Sequence, residues 1–162
     1  MKFNFRSWAL VTALCGAILA TGLPWAGVAE NAQAASKREI LVIVNRASGL
    51  SSMSRSELSS IFLGKRRVWA NGDSIKPCDL QEPGMDEERT AMASFSQTYL
   101  GKDIASLKHY WIRMIFSGAG EPPQVFKRAE DVIRYVSGNA EAIGYVYEDQ
   151  VTPDVKVAPV SD

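Results

Sequence analysis

The chain has 162 residues, 46% of them hydrophobic, and its 18 basic and 18 acidic side chains balance to a formal charge of zero. No global field steers nucleic acid or anionic lipid toward it, so no nucleic-acid partner is expected. One histidine and two cysteines leave little material for metal or disulfide chemistry.

Residues 1–34 read as a cleavable secretory signal. Lys2 and Arg6 precede an apolar run from Trp8 to Gly22, and Ala32-Gln33-Ala34 supplies small residues for cleavage. Pro24, Gly27, Glu30 and Asn31 break the apolar stretch too soon for a membrane span of roughly 18 residues. Cys15 follows the bulky Leu14, a poor approach for lipid attachment, and leaves with the signal. The charge balance hardly changes on removal of Lys2, Arg6 and Glu30, and only Cys78 remains. An exported domain with one cysteine must be held together by its core rather than by a disulfide. Cys78 reads as a small buried strand residue. One domain over residues 38–160 is expected.

Ile40-Leu41-Val42-Ile43-Val44 is apolar without alternation, the pattern of a strand covered on both faces. Asn45 to Ser52 reads as the loop leaving its carboxyl end. Ser54 with Glu57 forms a capping box, and Met53 and Leu58 are spaced for a hydrophobic staple. Leu58, Ile61 and Phe62 then share a face, and Gly64 ends the helix in the left-handed conformation. Lys65, Arg66 and Arg67 sit where cations complement the helix terminus.

Asn71-Gly72-Asp73 is a turn, and Ser74 to Leu80 predicts a short strand centred on Ile75, with Pro77 marking an edge or a strand end. Asp86 to Leu100 has a helical pattern with Met92, Phe95 and Tyr99 on one face, closed by Gly101. Asp86, Glu87 and Glu88 fall in its first turn, where negative charge is favoured. A third helix is predicted over Ile104–Phe116, inward at Leu107, Trp111 and Met114, with Ile104 and Ile115 flanking. His109 lies nearly opposite that stripe. Glu121-Pro122-Pro123 is a rigid connector. Ala129 to Ser137 predicts a fourth helix, inward at Val132, Ile133 and Val136 and ended by Gly138-Asn139. Strands at Ala142–Tyr147 and Val155–Val160 close the chain. Gly144 stands where a side chain would obstruct a close neighbour. The order indicates an α/β layered domain.

Enzyme signatures are absent from the sequence: no His-Glu-x-x-His, Cys-x-x-Cys or Gly-x-Ser-x-Gly occurs. Glu82, Asp86, Glu87 and Glu88 invite a metal reading, but consecutive helical residues diverge by about 100° and cannot share one ion. Neither cofactor nor metal is expected. In open α/β sheets, ligands gather beyond the carboxyl ends of the strands. That rim is expected to present Asn45, Arg46, Ser48, Ser51, Ser52, Gln81, Arg89, Thr90 and Tyr145. The candidate ligand residues among them are Asn45, Ser51, Ser52, Gln81, Arg89, Thr90 and Tyr145.

Val42-Ile43-Val44-Asn45, Ile61-Phe62-Leu63-Gly64-Lys65, Trp69 with Gly72, Ile75, and Ala142-Ile143-Gly144-Tyr145-Val146 together form an ordered pattern. It resembles the periplasmic phosphate-binding proteins of ABC transporters, more closely a short single-domain group of them. That group also carries a segment like Tyr110-Trp111-Ile112-Arg113-Met114-Ile115-Phe116-Ser117-Gly118, followed by Pro122-Pro123. The resemblance implies one lobe of a type 2 periplasmic-binding-protein-like fold: three layers, with a mixed sheet flanked by helices. It also implies a periplasmic protein that binds a small solute, such as an anion, and meets an ABC permease or another periplasmic protein. Two copies pairing across the crevice would form a homodimer. The family's receptors present an Arg and a Ser-Gly-Thr at a helix N-terminus. Asp79 to Glu88 here carries no such motif, so the phosphate ligands are not transferred. The alternative is an interaction or sensing module that kept the fold and lost the phosphate site.

Overall fold

The computed structural model describes residues 38–162, so the signal segment, its cleavage site and Cys15 lie outside the described residues. Residues Lys37–Asp162 form one compact unit. Its elements are β1 (Ile40–Asn45), β2 (Met53–Ser54), α1 (Arg55–Phe62), β3 (Lys76–Leu80), α2 (Ala91–Phe95), α3 (Ile104–Phe116), β4 (Gln124–Phe126), α4 (Ala129–Gly138), β5 (Ala142–Tyr147), β6 (Val155–Val157) and β7 (Val160–Ser161).

A five-stranded sheet runs in the order β4-β3-β5-β1-β6, and β2 pairs with β7 in a separate parallel ribbon. β3 is parallel to both β4 and β5, whereas β1 is antiparallel to β5 and β6. The sheet is therefore mixed. β5 is buried along its whole length. At its centre Gly144 faces α4: a Cβ there would lie 2.7 Å from Cys78 Sγ and 3.0 Å from Val132 Cγ1. The absent side chain lets α4 approach the sheet closely. Tyr145 faces the other way and stacks on Phe95 of α2 with ring centroids 3.9 Å apart; Phe62 of α1 lies 5.7 Å from it. Helices on both faces make three layers, as the sequence implied.

α1 forms as its capping box dictates. Ser54 Oγ accepts from the Glu57 backbone N–H, and Glu57 Oε2 accepts from the Ser54 N–H. Its end is closed by Gly64 at φ +66°, with Gly64 N–H bonded to Ile61 O and Lys65 N–H to Ser60 O. α3 spans Ile104–Phe116 as expected and buries Ile104, Leu107 and Trp111, while His109 is exposed.

Four expectations need correction. The segment Asp86–Leu100 is not one helix: Glu87–Arg89 is a separate 3₁₀ turn, α2 begins after Thr90, and Ser96–Leu100 widens into a π turn before Gly101. The buried Thr90 hydroxyl caps α2 by accepting from Ala93 N–H, which fixes an extended residue inside the helical pattern. The strand expected from Ser74 starts at Lys76 and lies inside the sheet. Pro77, the second residue of β3, stands at the strand end as expected rather than at a sheet edge, and β4 pairs only from Cys78 onward. Val155–Val160 splits into β6 and β7, since Pro159 offers no N–H to continue the ladder. Gly138 belongs to α4 and has no positive φ; Asn139 is the cap residue. β4 is an unanticipated edge strand.

Candidate functional site

Strand direction decides which residues share an edge. The carboxyl ends of β3, β4 and β5 meet the amino end of β1, because Ile40 pairs with Tyr147. This carboxyl edge carries Arg38, Glu39, Gln81, Glu82, the Glu87–Arg89 turn and Glu148-Asp149. The loop after Asn45 lies at the opposite, amino edge, since Val44 pairs with Ile143 near the start of β5. The single rim expected from sequence is thus split: Asn45, Ser51 and Ser52 stand at one edge, Gln81, Arg89 and Thr90 at the other.

Several of these side chains have structural partners. Asn45 Nδ2 donates to Val136 O at 3.0 Å and Ser137 O at 2.7 Å, and its Oδ1 accepts from Ala47 N–H. It closes the last turn of α4 against the end of β1. Arg46 donates to Pro153 O, and Ser48 Oγ accepts from Leu50 N–H. Ser51 and Ser52 are exposed. With Trp69, Asn71 and Glu141, the Ala47–Leu50 part of the loop borders a groove of about 320 Å³. Gln81 is half-buried, and its backbone N–H extends the β3–β4 ladder to Phe126 O. Arg89 is exposed. Thr90 Oγ1, besides capping α2, donates to Glu87 O at 2.9 Å.

Tyr145 lies in the closed core rather than on a rim. Its hydroxyl donates to Asp79 Oδ1 at 3.0 Å. Burial pushes the Asp79 carboxyl up to about 7, the Tyr145 hydrogen bond opposing the rise. Burial likewise holds the Tyr145 hydroxyl well above its usual value, with the Asp79 charge adding to it. The Cys78 thiol is buried and pushed upward by burial, which keeps it from the reactive thiolate form.

Sequence reasoning missed the most developed polar arrangement at the carboxyl edge. Arg38 Cζ lies 3.8 Å from the Tyr147 ring centroid. The same guanidinium reaches Glu82 at 3.9 Å and Asp149 at 3.7 Å. Burial raises the Tyr147 hydroxyl, with the Glu82 charge contributing. Glu82 Oε2 is buried and has no hydrogen-bond partner among the described residues. The only sequence signal was a charge beyond each of two strand ends; their adjacency follows from the antiparallel setting of β1. Further out, Glu87 forms an ion pair with Lys108. No group of three or more His, Cys, Asp or Glu able to hold a metal occurs among the described residues. The carboxyl edge therefore offers a ring-backed guanidinium, an amide, a second arginine and one unsatisfied carboxylate oxygen. This set can bind and orient, and it contains no nucleophile–base pair.

No protein-family model and no curated protein matches the sequence. Solved structures do match the fold. A phosphate transport receptor of the ABC type from Vibrio cholerae superposes with a TM-score of 0.59 at 17% identity, over 77% of this chain and 48% of that one. A putative phosphate ABC transporter substrate-binding protein from Clostridium perfringens, with bound phosphate, gives 0.57 at 18% identity, over 76% and 45%. A possible phosphate binding protein from Planctomyces limnophilus gives 0.53 at 16%, over 77% and 42%. The domain has the periplasmic-binding-protein-like fold of these proteins, and the chain spans about half the length of the receptors it matches.

Proposed function

We propose that this chain is an exported solute-binding domain, released from a signal peptide over residues 1–34, that holds a small ligand in the periplasm without catalysis. The ligand edge is the carboxyl edge of β3, β4 and β5. The fold shared with phosphate receptors supports the reading, and one observation carries it: Arg38 lies on Tyr147 beside a buried Glu82 oxygen that lacks a donor among the described residues. Burying such an oxygen without a partner is unfavourable, and a ligand N–H or O–H would satisfy it. Arg38 can meet an anionic group of the same molecule, and Gln81 and Arg89, on the segment leaving β3 at the same edge, are proposed to join it. The fitting ligand is a small anion that also bears a hydrogen-bond donor. Sulfate, which brings only acceptors, fits less well among Glu82, Asp86, Glu87, Glu88 and Asp149. Thr90 and Tyr145 serve this site from beneath, as cap and core. Asn45, Ser51 and Ser52 lie too far round the sheet to join it.

A thermal-shift and calorimetric panel of phosphate, sulfate, hydroxy acids and amino acids tests the reading. At a hundredfold excess over Kd a true ligand stabilises the domain by about 2.7 kcal/mol. Arg38→Gln should remove that response. A flat panel rejects the reading.

The second reading is an interaction or sensing module whose partner is an ABC permease, another periplasmic protein or a second copy. The exposed carboxylates Asp86, Glu87 and Glu88 favour it, since they would complement a basic surface. Salt-sensitive association that Glu88→Lys abolishes, with no solute response, would select this reading.

A further inference from the structure

The charge of the chain is balanced overall but not locally. α3 buries Ile104, Leu107 and Trp111, the last two clustering with Leu63. Its other face leaves Ile112 49%, Ile115 54% and Phe116 88% exposed. These residues are spaced i, i+3 and i+4, so they form one continuous apolar surface at the end of the helix. Apolar surface rimmed by polar groups marks a site of interaction.

The rim here is basic. Arg113 lies on α3 itself. Lys65, Arg66 and Arg67 follow α1 and sit beside the tip: Arg67 donates to Gly64 O and to Ala119 O, bridging the two helix ends. The Trp111 ring lies 3.2 Å from where a Gly64 Cβ would stand, which fixes the same proximity. Of these four cations only Arg66 is ion-paired among the described residues, to Glu57 at 2.9 Å. Among the described residues Glu121 is the single carboxylate lining the cleft of about 550 Å³ that Arg66, Arg67 and Ile115 share.

We infer that this tip docks on an anionic lipid surface. Phe116, Ile112 and Ile115 enter the boundary between headgroups and acyl chains, while Lys65, Arg67 and Arg113 meet lipid phosphates. Charge complementarity selects the occupant: cations surrounding a projecting apolar centre match a negatively charged bilayer, where each cation adds severalfold to affinity. A bilayer also accepts a projecting Phe without a preformed pocket. Contact is peripheral, because no described helix is long and apolar enough to cross a membrane. The tip lies at the amino edge of the sheet, so the inference stands apart from the solute reading.

Flotation with vesicles of phosphatidylcholine, with and without phosphatidylglycerol, tests it. The native protein should partition about tenfold more onto the phosphatidylglycerol vesicles, and the difference should shrink as salt rises. Phe116→Ser and Arg113→Gln should each lower partitioning severalfold while leaving the melting temperature unchanged, since both side chains are exposed. Equal partitioning onto the two vesicle types overturns the inference, as does full binding by Phe116→Ser. Self-association in sedimentation that Phe116→Ser abolishes, without vesicle binding, also overturns it and assigns the face to a second copy of the chain.

Discussion

The Tyr145 hydroxyl donates to Asp79 Oδ1 at 3.0 Å inside the closed core, joining β5 to β3 above the rings of Phe95 and Phe62. It is a polar bond in an apolar setting, so its loss leaves a buried carboxyl without its donor. Tyr145→Phe should destabilise the domain by about 1–3 kcal/mol in urea denaturation. A loss below measurement error would show that Asp79 finds another partner.

The same pair sets a pH dependence. The Asp79 carboxyl titrates at about 7 in the folded chain, against about 3.9 unfolded. Between these values the folded state holds more protons, so this group's contribution declines as pH rises and is lost through the folded midpoint. Asp79→Asn cannot ionise and should gain on the native protein from pH 5 to pH 8, by at most about 3 kcal/mol. Parallel stability curves for the two proteins would refute this.

Gly144→Ala should cost about 1–3 kcal/mol or more, because the new methyl would overlap Cys78 Sγ at 2.7 Å and press on Val132 at 3.0 Å. Adding Cys78→Ala should recover part of that loss, a coupling readable in a double-mutant cycle. Strict additivity would mean that α4, not Cys78, takes the strain.

Two helix-end glycines should respond oppositely to alanine. Gly64 has φ +66° and Trp111 against it, so Gly64→Ala should destabilise by about 1 kcal/mol or more. Gly138 lies within α4 with open space around its Cα, so Gly138→Ala should be neutral or stabilise by up to about 1 kcal/mol. Thermal melts of the two variants decide the matter.

Arg38→Met keeps the stem over Tyr147 but removes the charge beside the half-buried Glu82. The expected cost is about 1–2 kcal/mol in denaturation, relieved when Glu82→Gln is added. An unchanged midpoint in the single variant would show that Glu82 is held by water alone.

Much of the architecture was legible because local signals and burial agreed. The capping box fixed α1, Gly64 its end, and the uninterrupted apolar runs of β1 and β5 announced strands with helices on both sides. Three features escaped for physical reasons. Gln124-Val125-Phe126 is short and exposed, and becomes a strand only because the edge of β3 offers hydrogen bonds. Thr90 capped a helix inside what looked like a continuous helical pattern, although a Thr before Ala91–Phe95 was a usable sign. Strand direction is not encoded in an apolar run, and the reversed course of β1 sent Asn45–Ser52 to the far edge. In a strand buried on both faces, Tyr145 had no exposed side to occupy.

The attachment of α3 has a mechanical consequence. Leu63 packs on it, Tyr110 donates to Leu63 O at 2.6 Å, Trp111 leans on Gly64, and Arg67 grips its terminal turn. Several moorings run to the five residues 63–67, with Leu100 against the same apolar cluster, Lys102 over the Tyr110 ring and the Lys108–Glu87 pair as further tethers. That short stretch of chain thus acts as a hinge pin for the carboxyl-terminal part of the helix. Deuterium should enter the α3 amides well before those of β5, and loosening that stretch should free the helix without melting the sheet.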